Sequence, residues 1–269
     1  MRRFENKTAV VTGASKSGGL GAAIAKLFVD EGAKVLMLDK DVKSGRRLET
    51  ELGNRSIFKE CDVTDEDSVD SAFLFAKKEF GSVEYLVNNA AVLGYTPVHE
   101  TSLEEWNRVM SINITGQFLC AKHAIPHMLD QKHGSIVNLG SAQSFMSQQN
   151  VAPYTTSKTA ILGLTRSIAV DYTPYIRCNA VCPSTIDTPM LEYALDQSDD
   201  PQALLDECVD MHLLKRIAQP DEIASLIAFL CSKDAANITG QSFRSDGGIG
   251  LLIQGSNQSA ARKNRLETQ

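Results

Sequence analysis

Residues 8–21 read Thr8-Ala-Val-Val-Thr12-Gly13-Ala-Ser15-Lys16-Ser-Gly18-Gly19-Leu20-Gly21. The first five are mostly β-branched, as a buried strand requires, and the glycine cluster after them marks a turn. The residues beyond it, AAIAKLFVDEG, repeat their apolar positions at helical spacing. A glycine cluster by itself is weak, and an ordinary strand-to-helix turn would look similar. A strand that runs through glycines straight into a helix is, however, the setting of a dinucleotide fingerprint. Glycines let the backbone approach a pyrophosphate, and the amides and dipole of the helix N-terminus favour its charge. Gly13, Ser15, Lys16, Gly19, Leu20 and Gly21 are the candidate contacts.

The next apolar run, KVLML, ends at Asp39, about 20 residues beyond Gly19, the distance at which an acidic residue meets the adenosine ribose. A carboxylate there accepts from both ribose hydroxyls and repels a 2′-phosphate, so the pattern favours NAD over NADP. Lys16 and Lys40 are the counter-signals, since either could neutralise that phosphate, although solvated surface lysines are commoner.

Further out, short apolar runs at 7–12, 34–38, 55–60, 83–87, 134–139, 175–181 and 241–245 predict seven strands. Helical periodicity fills 20–31, 42–52, 66–80, 103–129, 153–172 and 220–231. Alternation of this kind predicts a doubly wound α/β domain of Rossmann type, a seven-stranded parallel sheet flanked by helices on both faces. No Pro/Gly/Ser linker or internal repeat divides the chain, so one domain over 1–253 is expected, followed by a polar tail, 254–269. Residues 187–212, with Pro189, Pro201 and the acidic stretch Asp196–Asp200, read as a helical insertion after a strand, placed to serve as a substrate lid.

Composition sets the outer limits. The 269 residues carry 27 lysines and arginines against 33 aspartates and glutamates, a net charge of −6, which argues against nucleic-acid or anionic-membrane partners. Hydrophobic residues at 43% and charged residues at 22% suit a cored globular protein. The 6 cysteines include no CxxC pair and read as reduced thiols of a cytoplasmic protein. The start, MRRFENKTAVVTG, lacks a signal-peptide core, and no stretch reaches the roughly 20 apolar residues of a membrane-spanning helix.

Chemistry is signalled at Tyr154-Thr-Thr-Ser-Lys158, where a four-residue separation puts phenol and ammonium on one helical face. An ammonium beside a phenol favours the phenolate. A free phenol has a pKa of about 10, and bringing it to about 7 takes roughly 4 kcal/mol of preferential stabilisation, within reach of two nearby cations. The spacing alone arises easily by chance. Its position adds weight, because the strand SIVNLG ends upstream at Ser141, whose hydroxyl could donate to a substrate oxygen.

With these pieces in place the chain resembles the classical short-chain dehydrogenase/reductase family over about residues 5–250. The matching motifs are the glycine turn Thr12–Gly21, the strand end Asn88-Asn89-Ala90-Ala91, and Ser141, Tyr154 and Lys158, with Asn113 in MSINITG at the fourth catalytic position. The resemblance implies that Tyr154 is the general acid/base and that Ser141 orients the substrate. It further implies that Lys158 holds the nicotinamide ribose and lowers the tyrosine pKa, and that Asn113 supports a water-mediated proton relay. Asp62-Val63 corresponds to the adenine contact, Asn89 and Ala90 to the strand end beside the cofactor, and Pro183–Thr188, including Ile186, to the nicotinamide loop. A homotetramer joined through helices 103–129 and 153–172 is the associated expectation. Three departures stand out: the glycine turn has one extra residue, Gly13 to Gly19 spanning six positions where the family usually spans four to the middle glycine and six to the last; Ala91 replaces a glycine; and Ser184 replaces the glycine of a Pro-Gly pair.

Other signals have plainer readings. His123 and His127 are four apart, but no third ligand accompanies them, and Cys178 and Cys182 straddle a strand end, so no metal is expected. Between Ser141 and Tyr154, Gln143, Gln148, Gln149 and Asn150 offer amides and no lysine or arginine, which suits a sugar or polyol better than a carboxylate or phosphate. Ser184 and, on the insertion, Met190, Leu191 and Tyr193 complete the candidate substrate site. The expected activity is hydride exchange between such an alcohol and NAD. Alternatives are an NADPH-dependent reductase of 3-oxoacyl or cyclic ketone substrates and a dinucleotide-sensing protein without turnover.

Overall fold

A computed structural model describes residues 2–252; the polar tail expected at 254–269 lies outside them. Seven strands, β1 (Thr8–Thr12), β2 (Lys34–Asp39), β3 (Ser56–Glu60), β4 (Tyr85–Asn88), β5 (Gly134–Leu139), β6 (Ile176–Pro183) and β7 (Ser242–Ser245), form one parallel sheet in the order β3-β2-β1-β4-β5-β6-β7.

Both faces of the sheet are covered, and the period of two shows why. Ala9 and Val11 of β1 and Val35 and Met37 of β2 point into one apolar cluster with Ile24 and Phe28 of α1 (Leu20–Asp30) and Ile223 and Ile227 of α9 (Pro220–Cys231). The intervening Val10, Leu36 and Leu38 point into a second cluster. There they meet Val69 and Phe73 of α3 (Glu66–Phe80), Leu119 and Met128 of α5 (Gly116–Asp130) and Ile168 of α6 (Ala152–Asp171). Strands buried on both sides read as continuous apolar runs, which is what the sequence displays.

From β1 the chain winds outward to β2 and β3, then returns to β4 on the other side of β1. The crevice at the carboxyl ends of β1 and β4 is therefore the topological switch point, where sheets of this kind bind ligands. Helix caps differ around it. α2 (Val42–Leu52), α3 and α4 (Leu103–Met110) are capped by the side chains of Asp41, Asp65 and Ser102. α1, which opens onto the crevice, starts at Gly19 with no side-chain cap.

The span 103–129, expected as one helix, is broken. α4 passes into a π-helical turn, Ser111–Thr115, before α5, and the Gly116 amide bonds back to the Ser111 carbonyl. One inserted residue per turn leaves the apolar spacing almost unchanged, so periodicity does not reveal it. Residues 187–212 form two short helices, α7 (Pro189–Asp196) and α8 (Pro201–Met211). No residue of α7 is buried, and Cys208 is the buried residue of α8.

Candidate active site

The glycine turn and the end of β4 brace each other. Gly13 donates its amide to the Leu38 carbonyl at 2.8 Å. The Thr12 hydroxyl accepts the Asn89 and Ala90 amides, both at 3.0 Å, while the Asn89 side chain donates to the carbonyls of Thr12 and Gly13. Gly18 has φ +80° and open space around it, so the conformation and not crowding requires glycine. At Gly21 a Cβ would collide with the Gly13 carbonyl, which keeps α1 close to the turn. Within the turn Gly19 donates to the Lys16 carbonyl at 3.0 Å. Ser15 is buried, Leu20 half-buried and Lys16 exposed. The first amides of α1, without a capping side chain, suit a pyrophosphate.

At the end of β2, half-buried Asp39 accepts the Asp41 amide at 3.1 Å. The neighbouring Lys40 does not turn to it: its ammonium lies 2.8 Å from an Asp62 carboxylate oxygen. The other Asp62 oxygen takes the Thr64 amide and hydroxyl at 2.9 and 2.7 Å. Burial pushes the Asp62 carboxyl upward, but Lys40 and Thr64 together hold it below the usual carboxylate range. Val63 is buried beneath Gly116, where a Cβ would come within 2.8 Å of it.

The catalytic candidates converge at the end of β5. Ser141 begins a short turn, accepting the Gln143 amide at 3.1 Å on its hydroxyl oxygen and donating its own amide to Ser144 Oγ at 3.2 Å. Ser144 Oγ donates in turn to the Lys158 carbonyl at 2.7 Å, tying that turn to α6. One helical turn separates Tyr154 from Lys158, whose Nζ stands 5.6 Å from the tyrosine ring centroid and donates to the Leu139 carbonyl at 2.8 Å. Asn113, fully buried in the π turn, accepts the Val92 amide at 2.8 Å and donates to the Val92 carbonyl and to Ser157 Oγ. Ser157 Oγ bonds the Tyr154 carbonyl at 2.7 Å, so Asn113 reaches the tyrosine through one intermediary.

Electrostatics in this cluster depart from the sequence expectation of a phenol near 7. Burial pushes Tyr154 up to about 12, opposed by the Ser141 hydroxyl, and burial pulls Lys158 down to about 8. Loss of water penalises both charged forms, and for Tyr154 this outweighs the opposing Ser141 hydrogen bond. The protein groups by themselves therefore hold a protonated tyrosine.

Other candidates are spread around this cluster. Gln143 accepts from Thr155 Oγ1 at 2.9 Å and donates to Gln148 at 2.8 Å, while Gln149 and Asn150 are exposed. Pro183 ends β6, Ile186 bridges to Ala218, and Thr188 caps the start of α7. Neither Ala91 nor Ser184 has positive φ, so the backbone accepts a side chain at both former glycine positions. The Ser184 hydroxyl faces His212 Nε2 at 2.6 Å, and Tyr193 is exposed on α7. Sequence reading missed Ser144, Ser157 and His212. Ser157 could have been found one turn after Tyr154 in its own motif; His212, 28 positions from its partner, carries no local signal. His123 sits between Glu66 and Asp70, and no group of three metal-binding side chains occurs among the described residues. All six cysteines are free and buried.

The protein family described as enoyl-(acyl carrier protein) reductase matches residues 13–250. A 2-(R)-hydroxypropyl-CoM dehydrogenase of Xanthobacter autotrophicus is 37% identical over 250 residues, covering 90% of this chain and 98% of its own. This chain is a classical short-chain dehydrogenase/reductase. A cis-4-hydroxycyclohexanecarboxylate dehydrogenase of Sinomonas cyclohexanicum is 38% identical over 251 residues, with 91% and 97% covered. The ligand-free aldohexose dehydrogenase of Thermoplasma acidophilum superposes with a TM-score of 0.88 at 39% identity, covering 95% of this chain and 98% of that one. The short-chain dehydrogenase described here is accordingly an oxidoreductase acting on CH–OH groups with a nicotinamide cofactor. No helix among its described residues is long and apolar enough to cross a membrane.

Proposed function

We propose that this enzyme exchanges hydride between NAD and a secondary alcohol of a sugar or polyol, with Tyr154, Ser141, Lys158 and Asn113 as its catalytic set. The supporting observation is the convergence of Ser141, Tyr154 and Lys158 at the carboxyl end of β5 beside a stretch rich in amides. Bound nicotinamide supplies the hydride acceptor or donor. Tyr154 exchanges the proton of the reacting hydroxyl. The Ser141 oxygen already accepts the Gln143 amide, so its hydrogen is the part left to donate to the substrate oxygen. Lys158 spends one of its three donors on Leu139 and keeps two for the nicotinamide ribose. Asn113 acts as a positioning residue, since its side chain is committed to Val92 and Ser157.

For the cofactor, Gly13, Ser15, Lys16, Gly19, Leu20 and Gly21 would line the pyrophosphate, with Asp62 and Val63 at the adenine. Asn89 and Ala90, with Pro183, Ile186 and Thr188, would flank the nicotinamide half. Asp39 supports NAD, because Lys40, the cation nearest to it in sequence, is engaged by Asp62. The sugar reading draws on Gln143, Gln149 and Asn150 and on similarity to the aldohexose dehydrogenase. A second reading, a ring alcohol with an apolar body, is favoured by Met190 and Tyr193, exposed on α7, and by similarity to the cyclohexanecarboxylate enzyme. A homotetramer through α4, α5 and α6 fits the exposed Leu103, Phe118 and Val170 on those helices.

The test is NADH or NADPH formation at 340 nm with a panel of aldoses, polyols and alicyclic alcohols. Turnover of an aldose or polyol with NAD is expected. Asp39→Ala should weaken NAD binding and relax the bias against NADP; an unchanged preference means that another group reads the ribose.

A further inference from the structure

We propose that His212 is a positioning residue that locks the nicotinamide loop to the base of the α7–α8 insertion through Ser184. The inference rests on the reading of residues 183–188 as that loop. Ser184 stands where relatives of this kind carry glycine, and its hydroxyl is 2.6 Å from Nε2 of His212. On its other side the imidazole places Nδ1 2.5 Å from the Cys208 carbonyl. A carbonyl can only accept, so Nδ1 carries the hydrogen, Nε2 is the acceptor and the serine hydroxyl donates. The direction of the Ser184 side chain is thereby fixed by a residue just past the end of α8.

The imidazole is 1% exposed and thus shielded from competition by water. Its ring packs against Gly247, where φ is +60° and a Cβ would come within 2.8 Å of Cδ2. Gly247 in turn accepts the Leu214 amide at 3.3 Å. One side chain thus joins the loop after β6, the end of α8 and the glycine segment after β7. A second clamp lies just below: Ala218 donates to the Thr185 carbonyl and accepts the Asp187 amide at 3.1 and 2.9 Å. Both clamps fall at the root of the insertion, while α7 above them buries nothing. Motion of the helical pair must therefore pivot above residue 212, and the Ser184 bond transmits the seating of that pivot to the loop that would meet the nicotinamide.

The test compares Ser184→Ala and Ser184→Thr with the wild type. Two ligands are titrated, whichever of NADH and NADPH binds the wild type more tightly and its counterpart lacking nicotinamide, ADP-ribose or 2′-phospho-ADP-ribose. Losing the bond should weaken the complete dinucleotide about five- to tenfold, leave the nicotinamide-free fragment within twofold, and be restored by threonine, which keeps the hydroxyl. In hydrogen exchange, residues 189–211 should slow on dinucleotide binding in the wild type and in Ser184→Thr but not in Ser184→Ala. Equal weakening of fragment and dinucleotide, or wild-type affinity and protection in Ser184→Ala, overturns the proposal. A preference for NADPH would overturn the reading of Asp39 and leave this one standing.

Discussion

The Ser141–Tyr154–Lys158 cluster and the α7–α8 insertion are built on opposite principles. On one side Ser141, Tyr154, Lys158 and Asn113 are all buried, and a chain of short hydrogen bonds through Ser144, Ser157 and Leu139 joins β5, the π turn and α6. On the other side α7 and α8 contribute a single buried residue, Cys208. Proton transfer demands fixed geometry, which burial and satisfied polar groups provide. A lid must admit and release ligand, which thin packing permits. Under the proposed function, the contrast assigns chemistry to the first region and selectivity to the second.

The largest effect that could break this division comes from Tyr154→Phe. Turnover should fall about 10³-fold, with dinucleotide affinity within twofold, because the proton carrier goes and the nucleotide contacts stay. Near-normal turnover would remove the chemistry from that cluster. The same variant isolates the tyrosine in a phenolate difference titration of the protein without cofactor. Burial disfavours the anion, so the midpoint should lie above 10, and Ser141→Ala should move it higher still by removing the opposing hydrogen bond.

A smaller effect is expected at Asn113→Ala, which strips both backbone partners from Val92 and one from Ser157. Stability should drop by about 1–3 kcal/mol in chemical denaturation, and turnover by about tenfold. Replacement by Asp, which keeps only the acceptor toward the Val92 amide, should recover part of the stability. The smallest belongs to the insertion. Tyr193→Ala should raise the substrate KM a few-fold while stability stays within about 0.5 kcal/mol. A large loss of stability there would mean that α7 is a structural element and not a lid.

Much of this was legible in the chain. All seven strands fall within two residues of their apolar runs, most closely where burial on both faces keeps a strand apolar, as in β1 and β2. The helical insertion was visible from its prolines, which start both α7 and α8. The π turn at 111–115 was hidden because helical spacing tolerates one added residue. The upward shift of Tyr154 and the downward shift of Lys158 in the protein alone carry no signal in the sequence, since residue spacing reports proximity and says nothing of lost hydration. Pairings between distant positions, Lys40 with Asp62 and Ser184 with His212, depend on how strand ends meet and leave no periodic trace.

The six sulfurs also give the protein a built-in clock. Burial shields every one of them, and for Cys120, Cys178 and Cys231 it pushes the thiol pKa well above its ordinary value, so that little reactive thiolate forms and alkylating reagents must wait for the chain to open. Cys120, Cys178, Cys182 and Cys231 lie in α5, β6 and α9, Cys61 follows β3 and packs in the same core, and these five register global unfolding, whereas Cys208 alone rides on the insertion. A single fast-reacting thiol against a background of five slow ones would therefore time the undocking of α8 without any label being engineered into the chain.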